Sequence, residues 1–307
     1  MNAPRSIEDY LKQLRAALQG EDPALVQDAL YDAEEYLRAE VAANPGKSEA
    51  DVLELIASTY GAPDEVAAAY RETEVKVKAA LRSPAVRPRP GASLRARFFG
   101  IYLDPRAYTS LFYMLLTLVT GVVYFTFVVT GLSLSAGLAV LIIGVPFFLA
   151  FIGIARAIAL GEGRLLEAVT GERMPRRPVH PGPPARWWDR ILGMLKDVRT
   201  WTTLAYLALM LPLGIVYFTI AVVGIAVGIS FLGAPLYLLA EWFGWVHEPY
   251  HLTLGADGAF WAAHQGVAAV LLFILGILLT TLLLHLVRFT IRGHARLAKS
   301  LLAVPTA

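Results

Sequence analysis

Apolar positions change their rhythm along this chain near residue 98. Before it they recur every three to four residues among charged ones, as in Ile7, Tyr10, Leu11, Leu14 and Leu18, the pattern of helices that bury one stripe. After it they run almost unbroken. Two stretches lack Lys and Arg altogether: Ala107 to Ala155, 49 residues, and Thr200 to Val287, 88 residues. About 20 apolar residues cross a bilayer, so the second part predicts membrane helices.

The first part is punctuated like four short helices. Ser6 followed by Asp9 resembles a capping box, and Gly20 supplies a stop. Asp22-Pro23 opens a second helix with cap and first-turn proline in their favoured order; it runs to about Ala43 and ends at Asn44-Pro45-Gly46. Ser48 with Asp51 caps a third, through Val52, Leu53, Leu55, Ile56 and Tyr60, which Gly61 ends. Pro63-Asp64 opens a fourth through Val66, Ala69 and Tyr70. Residues 1–82 thus form a helical module small enough to need tight packing or a partner. Residues 83–98 hold three prolines and four arginines with little helical periodicity, and read as a basic linker facing anionic lipid.

The membrane part, residues 99–303, contains a duplication. Asp104 to Gly131 aligns without a gap on Asp197 to Gly224, with 14 of 28 positions identical, including an Asp-x-Arg start and a Gly-x-Val-Tyr-Phe-Thr centre. Repeat 1 covers about 104–175 and repeat 2 about 197–303. The first Lys- and Arg-free stretch holds a hairpin turning near Gly131 to Gly137. The second is long enough for two or three crossings. Arginines crowd 156–199, and Arg288, Arg292, Arg296 and Lys299 follow the last apolar run, so both regions belong on the cytoplasmic side and an even number of crossings separates them. This predicts four spans, with 224–265 an insertion in repeat 2 that is re-entrant or lies on the outer surface. A five-span alternative places the basic tail outside.

The expected fold class is therefore all-α: a small N-terminal four-helix cytoplasmic module plus a polytopic α-helical membrane domain of two repeats, both termini cytoplasmic. Residues 1–82 carry a net charge of −7 and the remainder +9. The acidic balance argues against direct nucleic-acid binding by the module. The absence of cysteine excludes disulfides, thiolate catalysis and Cys-type metal sites. The first 30 residues lack the apolar core of a secretory signal.

Little in the chain is obviously chemical. His247 to His251 spells His-Glu-x-x-His, the spacing that brings two imidazoles to one zinc, but Pro249 between them disfavours the helix this needs. His247, His251 and His264 are weak metal candidates, and a polar outer loop is the plainer reading. The spans lack central charges, which counts against ion-coupled transport. His285 lies near a helix end and is expected to snorkel. Tyr124 and Tyr217, beside Gly121 and Gly214 at matching repeat positions, are the ligand or packing candidates, with helix packing favoured for the glycines. Asp104, Arg106, Asp197 and Arg199 read as caps and interface anchors. No catalytic residue and no cofactor is expected.

The segments GVVYFT, DVRTW, LPLGIVYFT, GAPLY and RGHARLAKSLL resemble the Putative sensor domain of bacterial histidine-kinase-like proteins, over about residues 98–303. YLKQLRAAL, DALYDAEEYLRAEV and SEADVLELIASTYGAPDEVAAAY resemble the small helical HAAS signalling domain, often associated with PadR-type transcription regulators. Together these resemblances imply a non-enzymatic sensor of the bacterial inner membrane, its partners the lipid bilayer and a cytoplasmic signalling protein such as a PadR-type regulator. Homo-oligomerisation stays open. The chain stops at Ala307 without room for a kinase core, so the signal is expected to leave through the head. A small-molecule or lipid permease with a regulatory head is the alternative, and an intramembrane charge would favour it.

Overall fold

The structure, a computed structural model, describes residues 4–81, 93–139, 141, 144–177, 187–247 and 264–303. Among the described residues ten α-helices follow one another: α1 Ile7–Ala17, α2 Pro23–Ala43, α3 Glu49–Thr59, α4 Pro63–Leu81, α5 Leu94–Phe99, α6 Pro105–Leu138, α7 Gly144–Thr170, α8 Trp187–Lys196, α9 Val198–Trp242 and α10 Gln265–Leu302. A 3₁₀ turn, Gly100–Leu103, precedes α6, and no strand occurs among the described residues. Four helices, α6, α7, α9 and α10, are long and apolar enough to cross a membrane. The chain divides into two compact units. One comprises Met1–Pro84, Val123–Met210 and Arg292–Ala307, the other Ala85–Val122 and Leu211–Ile291.

In the first unit the N-terminal helices begin where the capping residues stand. The Ser6 hydroxyl accepts the Asp9 N–H at 3.1 Å, Asp22 accepts that of Ala24 at 2.9 Å, and Ser48 and Asp51 form both halves of a capping box. Gly61 turns the chain from α3 to α4 at φ +107°, a conformation open to glycine, and its carbonyl accepts the Tyr10 hydroxyl at 2.8 Å. Tyr10, Leu14, Leu18, Leu25, Leu37, Leu53 and Ile56 fill the core. In α4 the buried stripe runs Pro63, Val66, Ala67 and Glu74, so Ala67 and not Ala69 faces inward. Steps of three, four and eleven from Pro63 select that face. The same steps carry a carboxylate, Glu74, into the interior.

Three expectations need correction. Gly131 is no turn: α6 continues through it to Leu138, and a side chain there would collide with the Phe151 ring of α7. The hairpin therefore turns between Leu138 and Gly144. The segment read as linker ends in a helix, α5, whose N-terminus is capped by the Ser93 hydroxyl at 3.3 Å.

The third correction concerns the insertion at 224–265. Within the second unit α9 runs unbroken past Gly224 to Trp242, about 67 Å of helix at 1.5 Å per residue, with no re-entrant turn in the described part. Glycine stops a helix in water, but on an apolar face its missing side chain admits a neighbour. A Cβ at Gly224 would strike Leu283, one at Gly228 would sit 2.7 Å from Thr280 Oγ1, and one at Gly276 would sit 3.0 Å from the Leu232 nitrogen. These glycines let α9 and α10 pack closely. The five-span alternative finds no fifth apolar helix among the described residues.

Candidate functional site: a buried arginine between helices α2, α4 and α7

The site lies wholly in the first unit and begins with the periodicity of α7. Phe151, Ile152, Ala155, Ala159, Gly163 and Leu166 form its buried stripe, and Glu162 and Glu167 fall on that stripe. Gly171 ends the helix at φ +72°, its N–H bonded to the Glu167 carbonyl at 2.8 Å, as a glycine just past a helix end commonly does. The chain then runs on through residues 172–177, and the Met174 N–H donates to Glu167 Oε2 at 3.1 Å.

This short segment carries Arg173 into the N-terminal helices. Its guanidinium reaches Asp28 of α2 at 2.7 Å, Glu74 of α4 at 3.2 Å and Glu167 of α7 at 3.9 Å. All four side chains are less than a tenth exposed. Arg176 pairs with the other oxygen of Glu167. Asp28 Oδ1 accepts two backbone N–H groups, those of Arg176 and Arg177, each at 2.9 Å. Burial pushes the Asp28 carboxyl above its usual value, although these two hydrogen bonds and Arg173 pull the other way. Around the rim, Gln27 donates to the Arg177 carbonyl at 2.8 Å, Arg177 pairs with Asp32 at 2.8 Å, and Lys299 of α10 pairs with Asp22 at 2.6 Å.

The arrangement holds charge in one shared network of ion pairs. Buried ion pairs add little net stability, because desolvation offsets attraction, but removing one partner leaves the others stranded. Such a cluster specifies one docked geometry for helices α2 and α4 against the end of α7. Nothing in it is a nucleophile beside a base.

Helices α6 and α9 begin alike. Asp104 accepts the Arg106 N–H and Asp197 the Arg199 N–H, each at 3.0 Å, and the Thr109 and Thr202 hydroxyls each donate back to those arginines' carbonyls at 3.2 Å. In both cases the second carboxylate oxygen takes an arginine from a different helix. In the second unit Arg288 of α10 pairs with Asp104, and in the first Arg156 of α7 pairs with Asp197 at 3.2 Å. Asp104 and Asp197 thus cap their helices, as expected, and each also ties one to a neighbour.

The remaining candidates are scattered. The Tyr124 hydroxyl donates to the buried Glu162 at 2.9 Å, whereas Tyr217 lies buried in the other unit. Gly121 is buried, and a Cβ at Gly214 would sit 2.5 Å from the Thr117 carbonyl oxygen, a backbone contact that supports packing. His285 bonds the Phe98 carbonyl at 2.9 Å and stacks on the Phe98 ring. His247 and His264 are exposed, and His251, with Glu248, Pro249 and Asp257, lies outside the described residues. Among the described residues no three His, Asp or Glu side chains could share a metal.

Sequence reasoning missed Arg173, Glu162 and Glu167. The signal for the two glutamates was present, since both fall in register with Phe151, Ala155 and Leu166 on one helical face. Arg173 had none beyond its place among other loop arginines. No curated protein and no solved structure matches the chain. A family model, Putative sensor, matches residues 113–302, which holds α7, the segment carrying Arg173, all of α9 and α10 and most of α6. With more than half of its length matched, the chain belongs to the Putative sensor family.

Proposed function

We propose that this protein is a non-enzymatic sensor of the bacterial inner membrane, and that it relays an envelope signal to a cytoplasmic partner by changing how residues 1–82 dock. The supporting observation is Arg173, a buried cation supplied by a membrane-helix terminus and shared by two helices of the N-terminal module. A shift of α7 along its axis or about it moves Arg173 and alters the docking. The duplicated Asp-x-Arg starts, each tied to another helix by an arginine, give α6 and α9 matching anchors for such a shift. The HAAS-like module, acidic overall, suits a basic partner such as a PadR-type transcription regulator.

The test is affinity purification of the full chain from its native membrane beside the chain lacking residues 1–82. Recovery of a DNA-binding regulator with the first and its loss from the second is the expected result. Identical partner sets would overturn the relay.

One observation favours the permease alternative. Glu162 is a buried acid on a helix apolar enough to span, hydrogen-bonded to Tyr124. It lies beyond Arg156, towards the end of α7 that carries Arg173, so the sensor reading places it in the coupling region. Glu162→Gln should leave proton and solute flux in proteoliposomes unchanged, whereas a flux in the parent protein that this variant abolishes would establish the permease.

A further inference from the structure

In the second unit the segment from α5 to the start of α6 is fastened along α10. At one end the Phe98 carbonyl and ring are both held by His285. Further on, the Tyr102 hydroxyl donates to the Ile277 carbonyl at 3.2 Å and lies 3.0 Å from Thr281 Oγ1, Ile101 shares a small buried cluster with Leu284, and Asp104 pairs with Arg288. α5 is only six residues long, yet these contacts fix its place.

Between α5 and α10 lies an open groove of about 620 Å³, lined by Leu94, Arg95, Arg97, Phe98, Phe99 and His285. That volume is in the range of small-ligand sites. Arg95 and Arg97 are exposed, and neither pairs with a carboxylate among the described residues. Asp104 is the only acid from residue 85 to residue 122, and its oxygens are taken by Arg288 and the Arg106 N–H. The groove therefore carries two positive charges without a counter-charge of their own.

Its depth says what anion meets them. The Lys- and Arg-free run of α6 starts at Ala107, just after this segment, and that of α10 ends at Val287, two residues past His285. Both spans thus pass from hydrocarbon to water at the level of the groove. Tyr102 and Tyr108, joined by a hydrogen bond of 3.0 Å, are of the residue type that such boundaries favour. Leu94 in the groove, Leu103 at the end of the 3₁₀ turn and Phe289 after Arg288 are each more than two-thirds exposed, which suits contact with acyl chains. At that level a bilayer presents phosphates, and guanidinium matches phosphate oxygens bidentately.

We propose that this groove holds one anionic phospholipid, its phosphate on Arg95 and Arg97 and its acyl chains against Leu94 and Phe99. Two unpaired cations select a headgroup with net negative charge over a zwitterionic one, which brings its own ammonium. The site differs from the diffuse attraction of a basic linker, because its arginines stand on a helix clamped to α10. It does not depend on how residues 1–82 dock.

The test uses the full chain in detergent micelles, titrated separately with phosphatidylglycerol and phosphatidylcholine of the same acyl chains, with bound lipid counted by native mass spectrometry. A saturable phosphatidylglycerol site, at least about tenfold tighter than any for phosphatidylcholine and weakened about tenfold or more by Arg95→Gln with Arg97→Gln, is the expected result. Lys196→Gln with Arg296→Gln, which removes two exposed charges from the first unit, should leave it unchanged. His285→Ala keeps both arginines but unfastens α5, and should weaken binding several-fold. Equal retention of the two lipids, equal binding by the parent and the Arg95 and Arg97 pair, or equal weakening by the Lys196 and Arg296 pair would overturn the site. Undiminished binding by His285→Ala would overturn it too, since a loose basic segment would then suffice.

Discussion

Arg173→Ala should free the N-terminal helices from the end of α7 while leaving both folded. The substitution strands Asp28, Glu74 and Glu167, three carboxylates each less than a tenth exposed. Removing one member of a buried ion network costs about 3–5 kcal/mol, far more than the network's net contribution, because the remaining charges stay desolvated and unpaired. Here there is an escape. Undocking returns all three carboxylates to water, so the cost appears as release, limited by the rim contacts Arg177 with Asp32 and Lys299 with Asp22. Limited proteolysis should then cut after Thr170 faster in the variant, with the helices of residues 7–81 left intact. Arg173→Lys should be intermediate, since a point charge cannot serve Asp28 and Glu74 with two separate nitrogens at once. A variant that resists proteolysis as well as the parent would mean that the rim suffices.

Asp104→Ala should destabilise the protein much more than Asp197→Ala, although the two positions match in the duplicated sequence. Both aspartates cap a helix, and loss of a cap costs about 1 kcal/mol. They differ in the second contact. Asp104 is 8% exposed, and Arg288 keeps a buried Nε with no other partner. Its removal leaves Arg288, 27% exposed and with no second partner for that end, without its counter-charge, at about 1–3 kcal/mol on top of the cap. Asp197 is 34% exposed and its Arg156 retains the Thr200 hydroxyl at 3.0 Å, so there the pair contributes at most about 1 kcal/mol. Thermal unfolding in one detergent should rank parent, Asp197→Ala and Asp104→Ala in falling order. Equal losses would show that the pairs are equivalent and that burial does not decide them.

The two cases mark how far the sequence alone carries. Features set by a residue and its near neighbours in sequence were legible: Ser6, Asp22-Pro23, Ser48 with Asp51 and Pro63 place the four N-terminal helices, and Asp104 and Asp197 place the starts of α6 and α9. What each aspartate's second oxygen holds was not, because Asp104 and Arg288 meet only through the packing of distant helices. Gly131 and Gly224 misled for a different reason. Their breaking tendency belongs to water, and on apolar helices they serve close approach to Phe151 and Leu283. Arg173 reads as one loop arginine among many, and its role depends on a partner 145 positions away. The family match covers the membrane helices and begins at residue 113, so the reading of residues 1–82 rests on their own caps, core and ion pairs.

The docking of those residues through Arg173 is the centre of this account, and the chain has no cysteine to complicate its measurement. Gln27→Cys and Arg177→Cys, whose parent residues are joined by a 2.8 Å hydrogen bond, place two thiols across the junction. Treated in native membranes with a short bifunctional thiol reagent, this pair should cross-link efficiently within one chain, and adding Arg173→Ala should cut the yield several-fold. Equal cross-linking with and without Arg173, or none in the parent pair, would contradict it.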